Sequence, residues 1–278
     1  MRRYVESINR HYGDTDISAR ILAALQEAGK DVDALTRDDL AAIDEFHSGG
    51  REATRRLAQL AGLSNGMHVL DVGSGVGGPA RTLAAEFGCT VTGLDLTQEF
   101  CRAATVLTER LGLRDSVTFR YGNALDMPFA NGIFDVVWTQ NTLMNIEDKR
   151  RLFKEVYRVL RPGGYFALQS IMAGRVPNLH FPAMWASDPS LSFLLPPEEF
   201  RRMLLESGFR ELRWEDETRR FLQLRQEADT TAPGGGPEQL SVGVFVLSDF
   251  AAKLANSRRN YEEGRTVAIQ AVFQRAEQ

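Results

Sequence analysis

Cysteine is scarce in this chain: Cys89 and Cys101 are the only two among 278 residues. Cys89 opens an apolar, β-branched run and Cys101 sits in a helix-like segment, so buried thiols in a reducing compartment are expected rather than a disulfide framework. Neither falls at a motif, which gives no support to a thiol nucleophile. Histidine is scarce too. His11, His47, His68 and His180 share no ligand spacing, no Cys/His cluster exists, and no metal centre is expected. No apolar run approaches the roughly 18 residues that a spanning helix needs. The first sixteen residues are polar and charged, unlike a secretory signal. The expected location is the cytoplasm, without a membrane partner. Charge of one sign is also lacking: 33 basic residues face 37 acidic ones, a formal net charge of −4, so no global field draws the chain to nucleic acid. Arginine pairs such as Arg55-Arg56 and Arg219-Arg220 are interleaved with acids and read as solvated helix faces.

What is present is an ordinary globular composition, 43% hydrophobic and 25% charged, and enough chain for one large α/β domain with embellishments or two small ones. Residues 1–50 read as helices without a strand. Ile17, Ile21, Leu22 and Leu25 recur at helical spacing up to Gly29, and a second helical segment runs over about 38–46. A further helix is expected over 52–60. We read 1–60 as a helical N-terminal cap on a domain of residues 61–278, because its apolar stripe needs a surface to pack on.

From residue 67 strands and helices alternate: strand 67–72, helix 79–87, strand 89–94, helix 99–111, strand 117–121, strand 134–139, helix 149–160, a turn at 161–164 and strand 165–169. Short apolar strands alternating with helices argue for a doubly wound, mostly parallel sheet. Two insertions interrupt it. The first, about 171–195, carries Pro177, Pro182, Trp185 and Pro189 without a clear period and reads as a lid or a substrate wall. The second, about 222–262, contains a glycine- and proline-rich stretch at 226–238, expected as a mobile loop, and a helix near 248–261. A helix at 196–207 and a strand at 212–216 lie between them. A β-branched strand at 266–273 closes the chain, with an antiparallel edge pairing open to it.

The centre of this pattern is Val69-Leu70-Asp71-Val72-Gly73-Ser74-Gly75-Val76-Gly77-Gly78, a strand that stops at a glycine turn and opens a helix at Pro79. Backbone without Cβ can approach a ligand closely, and a helix N-terminus offers free N–H groups. Gly73, Gly75 and Gly78 satisfy the dinucleotide fingerprint G-x-G-x-x-G. Asp71, Gly73, Gly75 and Gly77 satisfy D-x-G-x-G-x-G, which resembles motif I of class I S-adenosylmethionine (SAM) methyltransferases. Asp95, at the end of the next strand, suits a ribose diol and supports either cofactor.

Gly122-Asn123-Ala124-Leu125-Asp126-Met127-Pro128-Phe129, followed by Phe134-Asp135-Val136-Val137, resembles the adenine-flanking stretch of that same family, and Leu160-Arg161-Pro162-Gly163-Gly164 before a strand is a further family landmark. The resemblance implies a seven-stranded, mostly parallel Rossmann-like sheet with an antiparallel last strand, and SAM as cofactor. It implies cofactor contacts at Asp71, Gly73, Gly75, Gly77, Asp95, Leu96, Asn123 and Ala124, with Gln140 near the methionine end. The flanks, Asp44-Glu45-Phe46-His47-Ser48-Gly49-Gly50 and the Trp185 and Asn260 regions, resemble sarcosine/dimethylglycine N-methyltransferases and their natural-product relatives. The expected partner is then a small-molecule methyl acceptor, methylated at N or O, and a homodimer is compatible with this reading. A non-catalytic SAM-fold binding protein and an NAD-dependent oxidoreductase are the competing readings.

An in-line displacement needs positioning, and needs a base only where the nucleophile arrives protonated. Relatives often carry His near position 145 and Asp near 170; this chain has Asn145 and Ser170. His47 is therefore the candidate base, with Tyr12 as a second candidate closing over the methyl. Asn141, Asn145, Ser170 and Trp185 are the candidate acceptor contacts. For each, packing or capping is the plain structural alternative.

Overall fold

The computed structural model describes residues 16–45, 47–231, 242–244 and 249–277. Its elements are α1 (Ile17–Glu27), the single turn α2 (Arg37–Leu40), α3 (Gly50–Leu60), β1 (His68–Val72), α4 (Gly78–Phe87), β2 (Thr90–Asp95), α5 (Gln98–Arg110), β3 (Val117–Tyr121), β4 (Phe134–Gln140), α6 (Lys149–Val159), β5 (Leu160–Ala173), α7 (Pro197–Glu206), β6 (Phe209–Asp216), α8 (Thr218–Thr231), α9 (Phe250–Glu262) and β7 (Thr266–Arg275). The seven strands form one sheet in the order β3-β2-β1-β4-β5-β7-β6. Strands β1 to β5 pair in parallel, and β7 runs antiparallel to both β5 and β6. The closing strand is therefore inserted between two others rather than lying at the edge. Among the described residues no helix is long and apolar enough to cross a membrane.

Pleating sends alternate residues to opposite faces, and each face has its own core. Leu70, Val137, Phe166 and Phe273 pack with Phe153 of α6 and Phe200 of α7. Val69, Val136, Trp138 and Ala167 pack with Leu57 of α3 and Leu83 of α4. A third cluster joins Ile17, Ile21 and Leu25 of α1 to Ala103 and Leu107 of α5, so the apolar stripe of the N-terminal helix is spent on the domain.

Three local expectations change. The turn at 161–164 is a bulge within β5: Phe134 pairs with Leu160 but Val136 pairs with Tyr165, and Gly163 takes φ +73° to let the strand continue. The helix over 38–46 shrinks to one turn, because Asp44 and Glu45 turn inward as buried acids. The loop at 226–238 begins as helix to Thr231, and its remainder lies outside the described residues.

The insertion after β5 is pinned on two sides. Asn145 Nδ2 donates to Trp185 O (2.7 Å) and Leu191 O (2.9 Å), and Lys149 Nζ donates to Phe193 O (2.9 Å) and to Ile146 O. From α9, Asn260 brackets His180 with two hydrogen bonds and Ser257 Oγ accepts from Met184 N at 3.0 Å. These tethers make it a wall.

The segment before α3 is fixed by buried polar groups. Arg81, 1% exposed, donates from Nη2 to Asp44 Oδ2 at 3.1 Å and from Nη1 to Thr108 Oγ1 at 3.1 Å. Gln140, Gln169 and Gln270 stand side by side on β4, β5 and β7. Gln140 and Gln270 both donate to Gln169 Oε1 (3.1 and 3.0 Å), Gln169 donates to Ser48 O (2.8 Å), and Gln270 donates to Ala53 O (2.9 Å). Removing one member of a buried ion pair strands its partner. Arg81→Met is therefore expected to destabilise the chain by about 3–5 kcal/mol in urea unfolding; a loss below about 1 kcal/mol would show that Asp44 is not held by this pair.

Candidate active site

An open cavity lies beyond the C-terminal ends of β1, β2 and β4, where the strand order reverses and α/β sheets leave a crevice. Its empty space, including the mouth that merges with solvent, is about 990 Å³. That is ample for a nucleoside with an amino-acid tail. The glycine turn forms the floor. Gly75 takes φ +52°, and a Cβ added there would project into open space with nothing within 4 Å. Gly73 takes φ +76°, and a Cβ there would strike Thr142 at 2.1 Å, so the turn also needs glycine for packing.

Asp95 ties the turn to β2. Its Oδ2 accepts from Gly75 N and its Oδ1 from Thr97 N, both at 2.8 Å. Each carboxylate oxygen keeps a further lone pair, enough for a vicinal diol. Burial pushes Asp95 up to about 6, although the Thr97 and Gly75 N–H groups pull the other way. Leu96, Asn123 and Ala124 also line the cavity, with Asn123 Oδ1 accepting from Leu125 N at 2.9 Å in a tight turn. These donors, the diol acceptor and the open glycine cradle fit the adenosine and methionine parts of SAM.

At the other end of the cavity stand His47, Gln140, Asn141 and Asn145. His47 Nε2 lies 2.7 Å from Glu45 Oε2 and 3.1 Å from Thr54 Oγ1. Its Nδ1 has only two long contacts, Ser48 O and Gln140 Nε2, each at 3.3 Å. The Glu45 carboxylate thus favours the tautomer with its proton on Nε2, a choice made from the network. Asn141 has φ +50° and reaches Ser48 Oγ at 3.4 Å.

Other expected site residues are placed elsewhere. Asp71 does not line the cavity. The pleat of β1 puts it on the same face as Val69, and its Oδ2 is buried without a partner. Burial, reinforced by the nearby Asp95 and Glu45 charges, raises Asp71 to about 8. Gly77 also lies off the cavity: a Cβ there would meet Phe119 at 2.5 Å and Arg81 at 2.7 Å, so its role is packing. Ser170 is buried in β5 with its hydroxyl donating to Ile171 O, and Trp185 packs among Met144, Ile171 and Ala183 with its indole N–H on Ser192 Oγ at 2.9 Å. Neither reaches the cavity. Asn145 does, but its amide is committed to the wall. Tyr12 lies outside the described residues. Sequence reasoning missed Val76, Thr97, Phe100 and Thr142, which line the cavity. Their types are those of any core or turn position. Among the described residues no group of three or more His, Cys, Asp or Glu could hold a metal ion.

A family profile described as "Methyltransferase domain" matches residues 70–168, the span from β1 to β5. Residues 70–168 thus resemble a methyltransferase domain. Over 134 residues the chain is 35% identical to methyltransferase GfsG of Streptomyces halstedii, covering 48% of each protein. Over 241 residues the chain is 27% identical to sarcosine/dimethylglycine N-methyltransferase of Halorhodospira halochloris, covering 81% of each. It thus spans about half the length of the first relative and about four fifths of the second. A structure of geranyl diphosphate methyltransferase with GPP and sinefungin superposes with a TM-score of 0.69, covering 99% of this chain and all of that one at 21% identity. That likeness shows a shared fold over nearly the whole length of the chain.

The raised Asp95 carboxyl gives a signed expectation. Only its ionised form offers acceptors for two hydroxyls, so S-adenosylhomocysteine affinity measured by calorimetry should fall as the pH drops below about 6. Asp95→Asn should weaken binding at pH 7.5 by roughly tenfold or more, the worth of a hydrogen bond to a charged group, and should flatten the pH dependence.

Proposed function

We propose that this chain transfers the methyl group of SAM to a small-molecule acceptor by in-line displacement. The observation that carries the reading is the Gly75–Asp95 hydrogen bond at the cavity floor. In a dinucleotide turn the loop N–H groups face a pyrophosphate. Here the Gly75 N–H is already taken by a carboxylate. Asp44, Glu45 and Asp95 are all buried around the turn, an acid-rich setting that repels a pyrophosphate and favours a cationic ligand. The resemblance to a methyltransferase domain and the similarity to an N-methyltransferase over most of the chain support the same reading.

When bound, SAM supplies a methyl group already activated as a sulfonium. The chain then has to align and exclude water. The glycine turn and Asp95 fix the nucleoside, and Asn123 and Ala124 border its base. Gln140 and Asn141, held by the glutamine row and Ser48, border the methyl end. Good alignment of the reacting atoms is worth up to roughly 7–11 kcal/mol. For an acceptor that arrives protonated, His47 Nδ1 takes the proton while the Glu45 carboxylate holds Nε2–H, the arrangement of a base oriented by a third group.

Two measurements test this. In calorimetry SAM and S-adenosylhomocysteine should bind and NAD should not; NAD binding with no affinity for either sulfur ligand would overturn the reading. In turnover over a panel of amines, phenols and carboxylates, one class should be methylated. For that acceptor, His47→Ala should lower kcat by about a hundredfold or more, the usual contribution of a general base. Glu45→Gln should lower kcat less, and both variants should bind S-adenosylhomocysteine within threefold of wild type. Unchanged kcat in His47→Ala would remove it from catalysis.

A further inference from the structure

Among the described residues, two buried side-chain oxygens without a hydrogen-bond partner belong to residues that line the cavity: Asp44 Oδ1 and Ser74 Oγ. Ser74 is neutral, and its Oγ stands against β2, 2.7 Å from the Cβ that Gly93 lacks. Asp44 is an acid with 5% of its surface exposed. Arg81 Nη2 donates to its Oδ2 at 3.1 Å, which leaves Oδ1 with unused lone pairs. A buried carboxylate oxygen without a donor is costly, so it signals a partner still to come. Burial raises the Asp44 carboxyl above an ordinary one even against the Arg81 guanidinium, and the neighbouring Glu45 charge adds to the rise. A positively charged donor at Oδ1 relieves both the missing hydrogen bond and the crowding of acids.

The place of this carboxyl in the fold says what that donor is. A Cβ on Gly78 would lie 3.1 Å from the Asp44 carboxyl carbon. Gly78 is the first residue of α4, so the carboxyl sits beside the N-terminus of a ten-residue helix. That end of a helix ordinarily draws a ligand's anion. Here the chain's own carboxylate stands beside it and repels one. In the methyl-transfer reading the rest of the cofactor is already placed: Asn123 and Ala124 border the base, and Asp95 takes the ribose diol. What is left for the glycine turn is the amino-acid tail, which at neutral pH carries an α-ammonium and an α-carboxylate. We propose that Asp44 Oδ1 accepts a hydrogen bond from the α-ammonium of the SAM tail, with Arg81 holding the other oxygen. This rests on the methyl-transfer reading and deepens it. Asp44 then selects among nucleosides: it favours a tail that carries an ammonium and disfavours one that carries only an anion.

Calorimetry on the full chain at pH 7.5 tests this with three ligands. They are S-adenosylhomocysteine, its deaminated analogue, which keeps the carboxylate, and methylthioadenosine, which lacks the whole tail. Wild type should bind S-adenosylhomocysteine about tenfold or more tighter than the deaminated analogue, the worth of a hydrogen bond between charged groups. In Asp44→Asn the amide oxygen stays on Arg81, which turns the amide N–H groups toward the ammonium. That variant should therefore bind S-adenosylhomocysteine and the deaminated analogue within about threefold of each other. Its affinity for methylthioadenosine should match wild type. The proposal is overturned if wild type binds S-adenosylhomocysteine and the deaminated analogue alike, or if Asp44→Asn keeps the wild-type preference. It is also overturned if the variant loses methylthioadenosine in the same proportion as S-adenosylhomocysteine, which marks a structural residue. Should Asp44→Asn fail to fold, Asp44→Leu combined with Arg81→Met removes both members of the buried pair and carries the same comparison. A double variant that also fails to fold marks a structural role and has the same consequence. Wild-type chain that binds none of the three ligands would instead remove the methyl-transfer reading itself.

Discussion

The buried polar attachment of residues 44–54 to the sheet is the constraint on which the site depends. Arg81 reaches out of α4 to Asp44, and Gln169 and Gln270 reach from β5 and β7 to Ser48 O and Ala53 O. Apolar packing alone would hold α3 on the sheet but would leave its approach free to slide. Directional bonds to two backbone carbonyls and one carboxylate remove that freedom. They also set the distance between the segment and the glycine turn: a Cβ on Gly78 would lie 1.9 Å from Asp44 O. His47, which stands inside this attachment, is aimed because its neighbours are fixed.

The same attachment gives the cavity its electrostatic character. Asp44, Glu45, Asp71 and Asp95 are all buried near the turn, with Arg81 as the buried cation among them. Burial raises Asp44 to about 6 in spite of Arg81, Asp95 to about 6 and Asp71 to about 8. Crowded acids in a dry place resist ionising together, so part of their charge is withheld until something positive arrives. A sulfonium cofactor is such a group; a pyrophosphate is not.

The wall after β5 shows how a stretch without secondary structure becomes rigid. Its backbone groups are capped by side chains of flanking elements: Asn145 and Lys149 on one side, Asn256, Ser257 and Asn260 on the other. Asn145 is instructive. At a position where relatives often carry a base, this chain has an amide that makes two structural hydrogen bonds. In the proposed reading, proton handling falls instead to His47, which also lines the cavity.

The sequence by itself determined the alternation of strands and helices, the cradle turn and the acid that closes it. These features are local: β-branched runs, glycines at positive φ and a carboxylate at a strand end follow from neighbours in the chain. It also marked His47 and Gln140, though without their partners. Tertiary structure alone decided the rest. Asp71 belongs to the motif yet faces the core, because the pleat of β1 assigns alternate residues to opposite faces. Ser170 and Trp185 read as site residues and are spent on packing. The glutamine row is invisible in sequence, since Gln140, Gln169 and Gln270 meet only when β7 inserts between β5 and β6.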